Sequence, residues 1–554
     1  MRAYFLEGQP SHEVASRFGY TAGSFRVLCH AFRQDPTRPF FLASRQGSRP
    51  TPLRDRVREA IIALRKRNFS IYDISRALTA EGTPRSPVAV SLVLKAEGFD
   101  RLPRRPDEDR PVSPRRTAAA VADVRALDLA PRQFRTQFGG LFLFVPFLAQ
   151  VPLPAILKTA GFPGTRMVPA EHAVRALLAL KLFGARRHSH VMAEVLDEGL
   201  ALFAGLNVIP KRSFLTEYSC RIDPQSYPRL MQAWFDAVGR LGLGRGVSFD
   251  LDFHTIPFHG EDALVEKHYV SKRSRRQKGI LAFLARDAGT RVFCYANAQV
   301  RKDTQIDEVL RFVDFWKQRT GHDPEELIFD SRLTSYANLS RLNQRGIQFM
   351  TLRRRSQKLV DAIYRAPASA WRRIELEGVT RVYKTPRILD QRIRLKDYKG
   401  EIRQLAILDL GHEEPTLLLT NQRRRAPAKL IARYAQRMVI ENDIAEGINF
   451  FHMDALSSAV PMKVTCDLQL TIMASSLYRL LGVKLGNGYA EAKADHIFRD
   501  LVDATATVTI TASAIEVRFQ KRAHNPLLLA AGFDRKSTAI PWLGGKSLRL
   551  IFGR

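Results

Sequence analysis

Cysteine is scarce in this chain of 554 residues: Cys29, Cys220, Cys294 and Cys466 stand far apart and never as a C-x-x-C pair. That excludes a disulfide framework, a zinc ribbon and a dithiol redox motif, and it fits a reducing compartment. Apolar residues are sparse at the start as well: MRAYFLEGQPSHE holds no run of signal-peptide length. Long uncharged runs are few. The stretch Gly139 to Leu157, GGLFLFVPFLAQVPLPAIL, has no charge, but Pro146, Gln150, Pro152 and Pro154 interrupt it and its length is marginal for a membrane span. A buried core segment is expected there, with no membrane partner and a cytoplasmic location. Acids are in short supply: 55 Asp and Glu face 87 Lys and Arg, a net charge of +32. Folding does not need that excess, which costs self-repulsion. A polyanionic partner accounts for it, and nucleic acid is the first candidate.

What is present is ordinary for a globular protein. A hydrophobic share of 45% with 26% charged residues excludes a mostly disordered or collagen-like chain. At about 150 residues per domain, three to four domains are expected. Residues 1–116 carry 22 Lys and Arg against 12 Asp and Glu. The string SHEVASRFGYTAGSFRVLCHAF predicts helix, tight turn at Gly19, helix, with Ser11 placed to cap the first and Thr21 the second. Leu53 to Phe99 repeats the theme: Val57, Ile61 and Leu64 share a helix face, Ser70 caps IYDISRALTAEG and Pro87 starts VAVSLVLKAEGF. Both patterns fit small helical hairpins with solvated basic faces. Their tandem occurrence on a basic chain favours helix-turn-helix units over 1–50 and 51–101, a layout whose second helix enters the major groove. The segment 102–116, LPRRPDEDRPVSPRR, reads as a linker. Residues 117–243 read as a mainly helical domain without obvious chemistry.

From Gly246 the period changes to two. VSFDLDFHTIPFHG, GILAFLARD and RVFCYANAQV predict three antiparallel strands. DTQIDEVLRFVDFWKQRTG predicts a helix ending at Gly321, ELIFDSR a strand, SYANLSRLNQRG a helix and IQFMTLRRR a strand. That order is the one of a ribonuclease H-like core. Residues 357–420 read as a β-rich insertion, followed by the long helix AKLIARYAQRMVIENDIAEGINFFHM. The fold class expected is therefore multidomain α/β, with a ribonuclease H-like core over 244–455 and a C-terminal α/β tail over 456–554.

Three acids are set apart by placement. Asp252 lies late in the first strand, Asp330 ends a later strand, and Glu441 is on the long helix. Phosphoryl transfer with two divalent metals needs carboxylates converging from different elements, because Mg²⁺ takes hard oxygen ligands and keeps positions for phosphate oxygens. Two ions about 4 Å apart serve the attacking and the leaving oxygen. Against this stands the plain reading that acids at strand ends are common. Tyr434, Arg437 and Glu441 add the pattern Y-x2-R-x3-E, which puts all three on one helical face. A cation there can hold a phosphate and an aromatic can stack on a base. Asp250 and Asp252 both point to the polar face of the first strand, so either could be the first acid.

In these motifs the chain resembles the DDE transposases of bacterial insertion sequences, in particular the group with a Y-R-E signature in its last catalytic helix. The matching pieces are FDLDFHTIPFHG, LIFDSRLTSYANLSRLNQRGIQFMTLRRR and RYAQRMVIENDIAEGINFF, spanning about 246 to 455. The resemblance favours Asp252 over Asp250 because the family's acid directly precedes a short segment such as FHTIPF. It also accounts for the spacings of 78 and 111 residues between the acids, the second holding the β-rich insertion. One departure is Ile448, where the family often has a Lys.

The resemblance implies that Asp252, Asp330 and Glu441 hold two Mg²⁺ or Mn²⁺ ions, that Arg437 grips a phosphate and that Tyr434 packs against DNA. It implies hydrolysis at the transposon ends, then attack of the freed 3′-hydroxyl on target DNA. A homodimer in the DNA complex and a nucleoid-associated bacterial protein follow from the same likeness. The alternatives are a non-catalytic, transposase-derived DNA-binding regulator and a Mg²⁺-dependent nuclease of the same fold. The terminal repeat, the target, the pathway (cut-and-paste or copying) and the activity of this copy stay open. His254, His259 and His268 lie near the first acid but match no compact zinc spacing. The basic runs 272–276, 353–355 and 423–425 suit either solvated surface or phosphate tracking.

Overall fold

The computed structural model describes residues 1–37, 52–100, 102, 127–258, 265–270, 275–376, 384–411, 413–454 and 461–553. The expected linker beyond Leu102, His259 and residues 272–274 of the first basic run lie outside the described residues. Two compact units divide the chain, Met1–Thr117 and Ala118–Arg554.

In the first unit, α1 (Ser11–Arg17) and α2 (Ala22–Gln34) are joined through Gly19, whose φ of +73° suits a residue without Cβ. Thr21 Oγ1 accepts the Ser24 N–H at 3.2 Å and caps α2. Ser11 differs from expectation: it is the first helical residue, Pro10 precedes it, and no side chain caps that end. Val14, Ala15, Phe25 and Cys29 close a small core. Three further helices, α3 (Pro52–Lys66), α4 (Ile71–Ala80) and α5 (Pro87–Ala96), enclose Val57, Ile61, Ile74, Leu78, Val90 and Leu94, one pair at four-residue spacing from each helix. Ser70 and Asp73 cap α4 reciprocally, and Ser86 Oγ accepts the Ala89 N–H ahead of α5.

The second unit is organised around one continuous apolar core. Its start is not purely helical. Strand β1 (Arg132–Thr136) pairs antiparallel with β12 (Ala506–Ile510) of the C-terminal segment, in a five-stranded sheet completed by β13 (Ala514–Phe519), β14 (Thr538–Ala539) and β15 (Ser547–Phe552). No local pattern in RQFRT announces a partner so far along the chain. The uncharged stretch after it is buried, as expected: Leu141, Phe142, Leu143 and Phe144 are sealed from solvent, and the chain bends by 73° between Gly139–Leu148 and Leu153–Ala160. Gly140 approaches the C-terminal segment so closely that a Cβ would lie 1.8 Å from the Val502 carbonyl oxygen. Among the described residues no single helix is long and apolar enough to cross a membrane.

Helices α6 (Leu153–Ala160), α7 (Ala170–Leu182), α8 (Glu198–Ala204), α9 (Arg212–Tyr218) and α10 (Ser226–Val238) follow. Then comes the large sheet. The strands β2 (Ser248–Pro257), β3 (Lys267–Val270), β4 (Arg275–Asp287) and β5 (Phe293–Val300) precede α11 (Glu308–Thr320), β6 (Glu326–Phe329), α12 (Tyr336–Gln344) and β7 (Gln348–Leu352). β4 pairs antiparallel with β2 and β5, while β2, β6 and β7 run parallel, giving the order β5-β4-β2-β6-β7. Gly321 ends α11 with φ of +83°. Phe249 of β2 packs on Phe312 and Trp316 of α11, ring centroids 5.2 and 4.4 Å apart, which seats that helix on the sheet.

The insertion does not stand apart. After α13 (Gln357–Tyr364), the strands β8 (Arg372–Arg373), β9 (Arg387–Arg394), β10 (Glu401–Leu408) and β11 (Thr416–Thr420) extend the same sheet, because β11 pairs with β7. The expected long helix is divided into α14 (Pro427–Gln436) and α15 (Met438–Asn449). At the junction Arg437 N–H bonds to Tyr434 O and Ile440 N–H to Arg437 O, three residues back in both cases, so the helix tightens where Arg437 turns inward. Helix α16 (Pro461–Leu485) then joins the layers: Lys181 of α7 bonds Asp467 at 2.7 Å, Trp234 of α10 donates to Ser476 at 3.0 Å, and Gln469 donates to Ala296 O of β5 at 2.9 Å.

Candidate active site

Asp252 projects from β2, opposite Leu284 of β4. Its Oδ1 accepts the Phe253 N–H at 2.9 Å and lies 3.0 Å from Arg437 Nη2. Burial pushes the Asp252 carboxyl up to about 6. Arg437 and the Phe253 N–H oppose this, and the charges of Glu441 and Asp330 add to it. That mutual influence brings the three acids into one electrostatic neighbourhood although 78 and 111 residues separate them. Asp330 follows β6 directly, in a turn where its Oδ1 accepts the Ser331 N–H at 2.6 Å. Ser335 then caps α12 through the Asn338 N–H. Glu441 sits in the first turn of α15 and is exposed.

Arg437 is the cation of this group. It is 7% exposed. Burial opposes its charge, yet Asp252, helped by Tyr434, Asp330 and Glu441, holds its pKa above the ordinary value. Its Nε is buried with no hydrogen-bond partner. Tyr434, half-buried, has its phenol pushed up by burial and, to a smaller degree, by the same three acids. Among the described residues no group of three His, Cys, Asp or Glu side chains is arranged to hold a metal ion, zinc included. Asp252 meets the Arg437 guanidinium directly, while Asp330 and Glu441 act on it by their charge, and a donor set of carboxylate oxygens alone has the chemistry of a hard divalent cation.

Asp250, two residues before Asp252, is in a different situation. It is fully buried, accepts a hydrogen bond from Arg286 of β4 at 3.0 Å and forms an ion pair with Arg433 of α14 at 2.9 Å. Arg286 also bonds Asp443 of α15, and Arg433 bonds Glu326 of β6 at 3.0 Å. Glu326 is further met by Arg425 at 2.8 Å and by Ser248 at 2.6 Å. Burial works against the Glu326 charge, but Ser248, Arg433 and Gln422 hold its carboxyl below the usual range. None of Arg286, Arg433, Glu326 or Asp443 is singled out by the sequence. The available signal is weak: a charged Arg286 at the end of the apolar strand GILAFLARD, where a solvated residue would be equally ordinary.

The domain is mixed α/β, with carboxylates on β2, directly after β6 and on α15 that all act on one arginine. Residues 245–477, which contain all of these elements, match the family described as Transposase DDE domain. The match covers 233 of the 554 residues and includes the three motifs that resemble the same family. No curated protein matches the chain.

Proposed function

We propose that the chain is a DNA transposase that binds the ends of its element and carries out phosphodiester hydrolysis and strand transfer, with Asp252, Asp330 and Glu441 as its catalytic acids. The observation that carries this reading is the match of residues 245–477, the segment that holds all three acids, to the transposase DDE family; the influence of Glu441 and Asp330 on the Asp252 carboxyl supports it. The strand order β5-β4-β2-β6-β7, with β2, β6 and β7 parallel, supports a ribonuclease H-like core. Asp252 is preferred to Asp250 as the first acid because Asp250 is enclosed by two arginines.

The three carboxylates would hold Mg²⁺ or Mn²⁺, two ions that activate the attacking oxygen and stabilise the leaving one when bound. Arg437 neutralises the acids while no phosphate is present. Its buried, unpartnered Nε supports a phosphate-gripping role, because a buried donor without an acceptor is costly until an anion supplies one. Tyr434, beside it, would pack against the DNA. The tandem helical clusters of residues 1–100 are the proposed end-binding units, and the excess of 87 basic over 55 acidic residues supports a DNA partner. Two ends held together make a homodimer in the DNA complex the natural arrangement.

Purified protein given its element ends and Mg²⁺ is expected to nick DNA at those ends. Asp330→Ala is expected to lower cleavage by at least about a thousandfold while end binding stays within about threefold. Equal cleavage by the variant rejects the assignment.

A further inference from the structure

We infer that the buried chain of ion pairs Asp443–Arg286–Asp250–Arg433–Glu326 is the positioning device for the three acids, with Arg286 and Asp443 its decisive members. This rests on the reading of Asp252, Asp330 and Glu441 as the catalytic acids.

Each anion of the chain lies on the same element as one proposed catalytic acid, or directly before it. Asp250 and Asp252 share one face of β2, since alternate residues of a strand do. Glu326 begins β6, and Asp330 follows its last residue. Asp443 and Glu441 are two residues apart on α15, so one points to the core while the other faces out; Asp443 is half-buried and Glu441 exposed. The arginines link these elements across the sheet. Arg286 stands directly opposite Asp250 in the β2–β4 pairing and reaches Asp443 with its Nε. Arg433 reaches Asp250 at 2.9 Å and Glu326 at 3.0 Å.

The register of β2 against β6 is already set by main-chain pairing. The helix α15 has no such pairing and is held by side chains instead: Ile440 and Ile444 are buried in the core, Glu446 accepts the Ala494 N–H, and Asp443 meets Arg286. The contact between Asp443 and Arg286 stands two residues from Glu441 and ties that part of α15 to the β2–β4 pair. Stability alone does not explain so many buried charges, because apolar side chains of similar volume commonly serve stability as well or better. Conformational definition is the remaining use, and here the defined elements are those that carry the acids.

The test titrates Mn²⁺ into the full-length protein bound to a duplex carrying its element end, with free Mn²⁺ read by electron paramagnetic resonance. Melting temperature and end affinity are measured alongside. Asp443→Asn is expected to weaken Mn²⁺ binding by about 10–100-fold, the range for residues that orient metal ligands, at unchanged end affinity. Arg286→Lys, which keeps a positive charge but loses the forked geometry, is expected to fall in between, and Asp443→Glu to recover most of the affinity. A merely structural role would lower the melting temperature and leave the Mn²⁺ midpoint where it is, which overturns the inference. Should Asp443→Asn fail to fold, Arg286→Lys decides the matter by the same midpoint. Asp252→Asn and Asp330→Asn separate the two readings. If they lose Mn²⁺ while Asp443→Asn and Arg286→Lys keep wild-type binding, the positioning inference alone falls; if all four bind as wild type does, the catalytic reading falls with it.

Discussion

Two sets of three acids lie a few residues apart on or beside the same elements and are treated in opposite ways. Asp250, Glu326 and Asp443 face Arg286, Arg433 and Arg425, three anions with three cations. Asp252 pairs with Arg437, which also feels the charges of Asp330 and Glu441, and among the described residues neither Asp330 nor Glu441 takes part in an ion pair. In the paired set Glu326 is held low by its partners, although burial outweighs Arg286 and raises Asp443; in the other set burial, with a smaller part from the fellow acids, outweighs Arg437 and drives Asp252 up to about 6. Pairing completes a scaffold. A surplus of negative charge, kept at a cost, is what a site that must receive cations and phosphate requires.

The sharpest way to break this comparison is to remove a cation from the paired set. Arg433→Met leaves Asp250 and Glu326 buried without their shared partner, and a loss of about 3–5 kcal/mol in unfolding free energy is expected by urea or thermal denaturation. Asp252→Asn should behave in the other sense. A carboxyl whose folded pKa of about 6 exceeds its unfolded value of 3.8 binds its proton more tightly in the folded state, so stability falls as pH rises through that window and stays low above it. Measured without divalent ions at pH 8, Asp252→Asn is expected to melt no lower than wild type, with a gain on the order of 1 kcal/mol and a flatter pH profile between pH 4 and 6. A large loss at pH 8 would show that Asp252 belongs with the scaffold.

The smallest effect is expected beside the paired set, at Glu446. This residue lines a cavity of about 140 Å³ with Asp443, Arg291 and Arg479, and its Oε1 accepts the Ala494 N–H. Burial, with Asp443 and Asp495, pushes its carboxyl up to about 7. The folded state therefore loses stability as pH rises from about 4.5 to 7, and Glu446→Gln, which keeps the acceptor, should remove that slope and raise stability at pH 8 by up to about 1 kcal/mol. Indifference of the melting profile to this substitution would place Glu446 in an ordinary solvated setting.

Much of the order of elements was legible from the sequence because its signals are local. Alternation in SFDLDFHTIP, the four-residue spacing of Val57 and Ile61, the Ser70–Asp73 cap and the glycine after Thr320 act within a few residues of themselves. The candidate acids were legible for a related reason: each stands at a distinctive point of a local pattern. What escaped is long-range pairing. RQFRT finds its partner strand some 370 residues later, and the β-rich insertion joins the large sheet through β11 and β7. The helix is divided at Arg437, the residue that pairs with Asp252 of β2, a partner that the helical pattern of RYAQRMVIEN could not announce.

Sequence alone therefore determined most of the helices, strands and turns, the excess of positive charge and which acids stand as candidates, since backbone propensity, periodicity and charge are properties of neighbouring residues. Only the tertiary structure decided which aspartate of the pair 250 and 252 is enclosed by arginines, where Arg437 points and how α15 is held against the sheet. Those are contests between burial and distant partners, and they are resolved only when the elements pack.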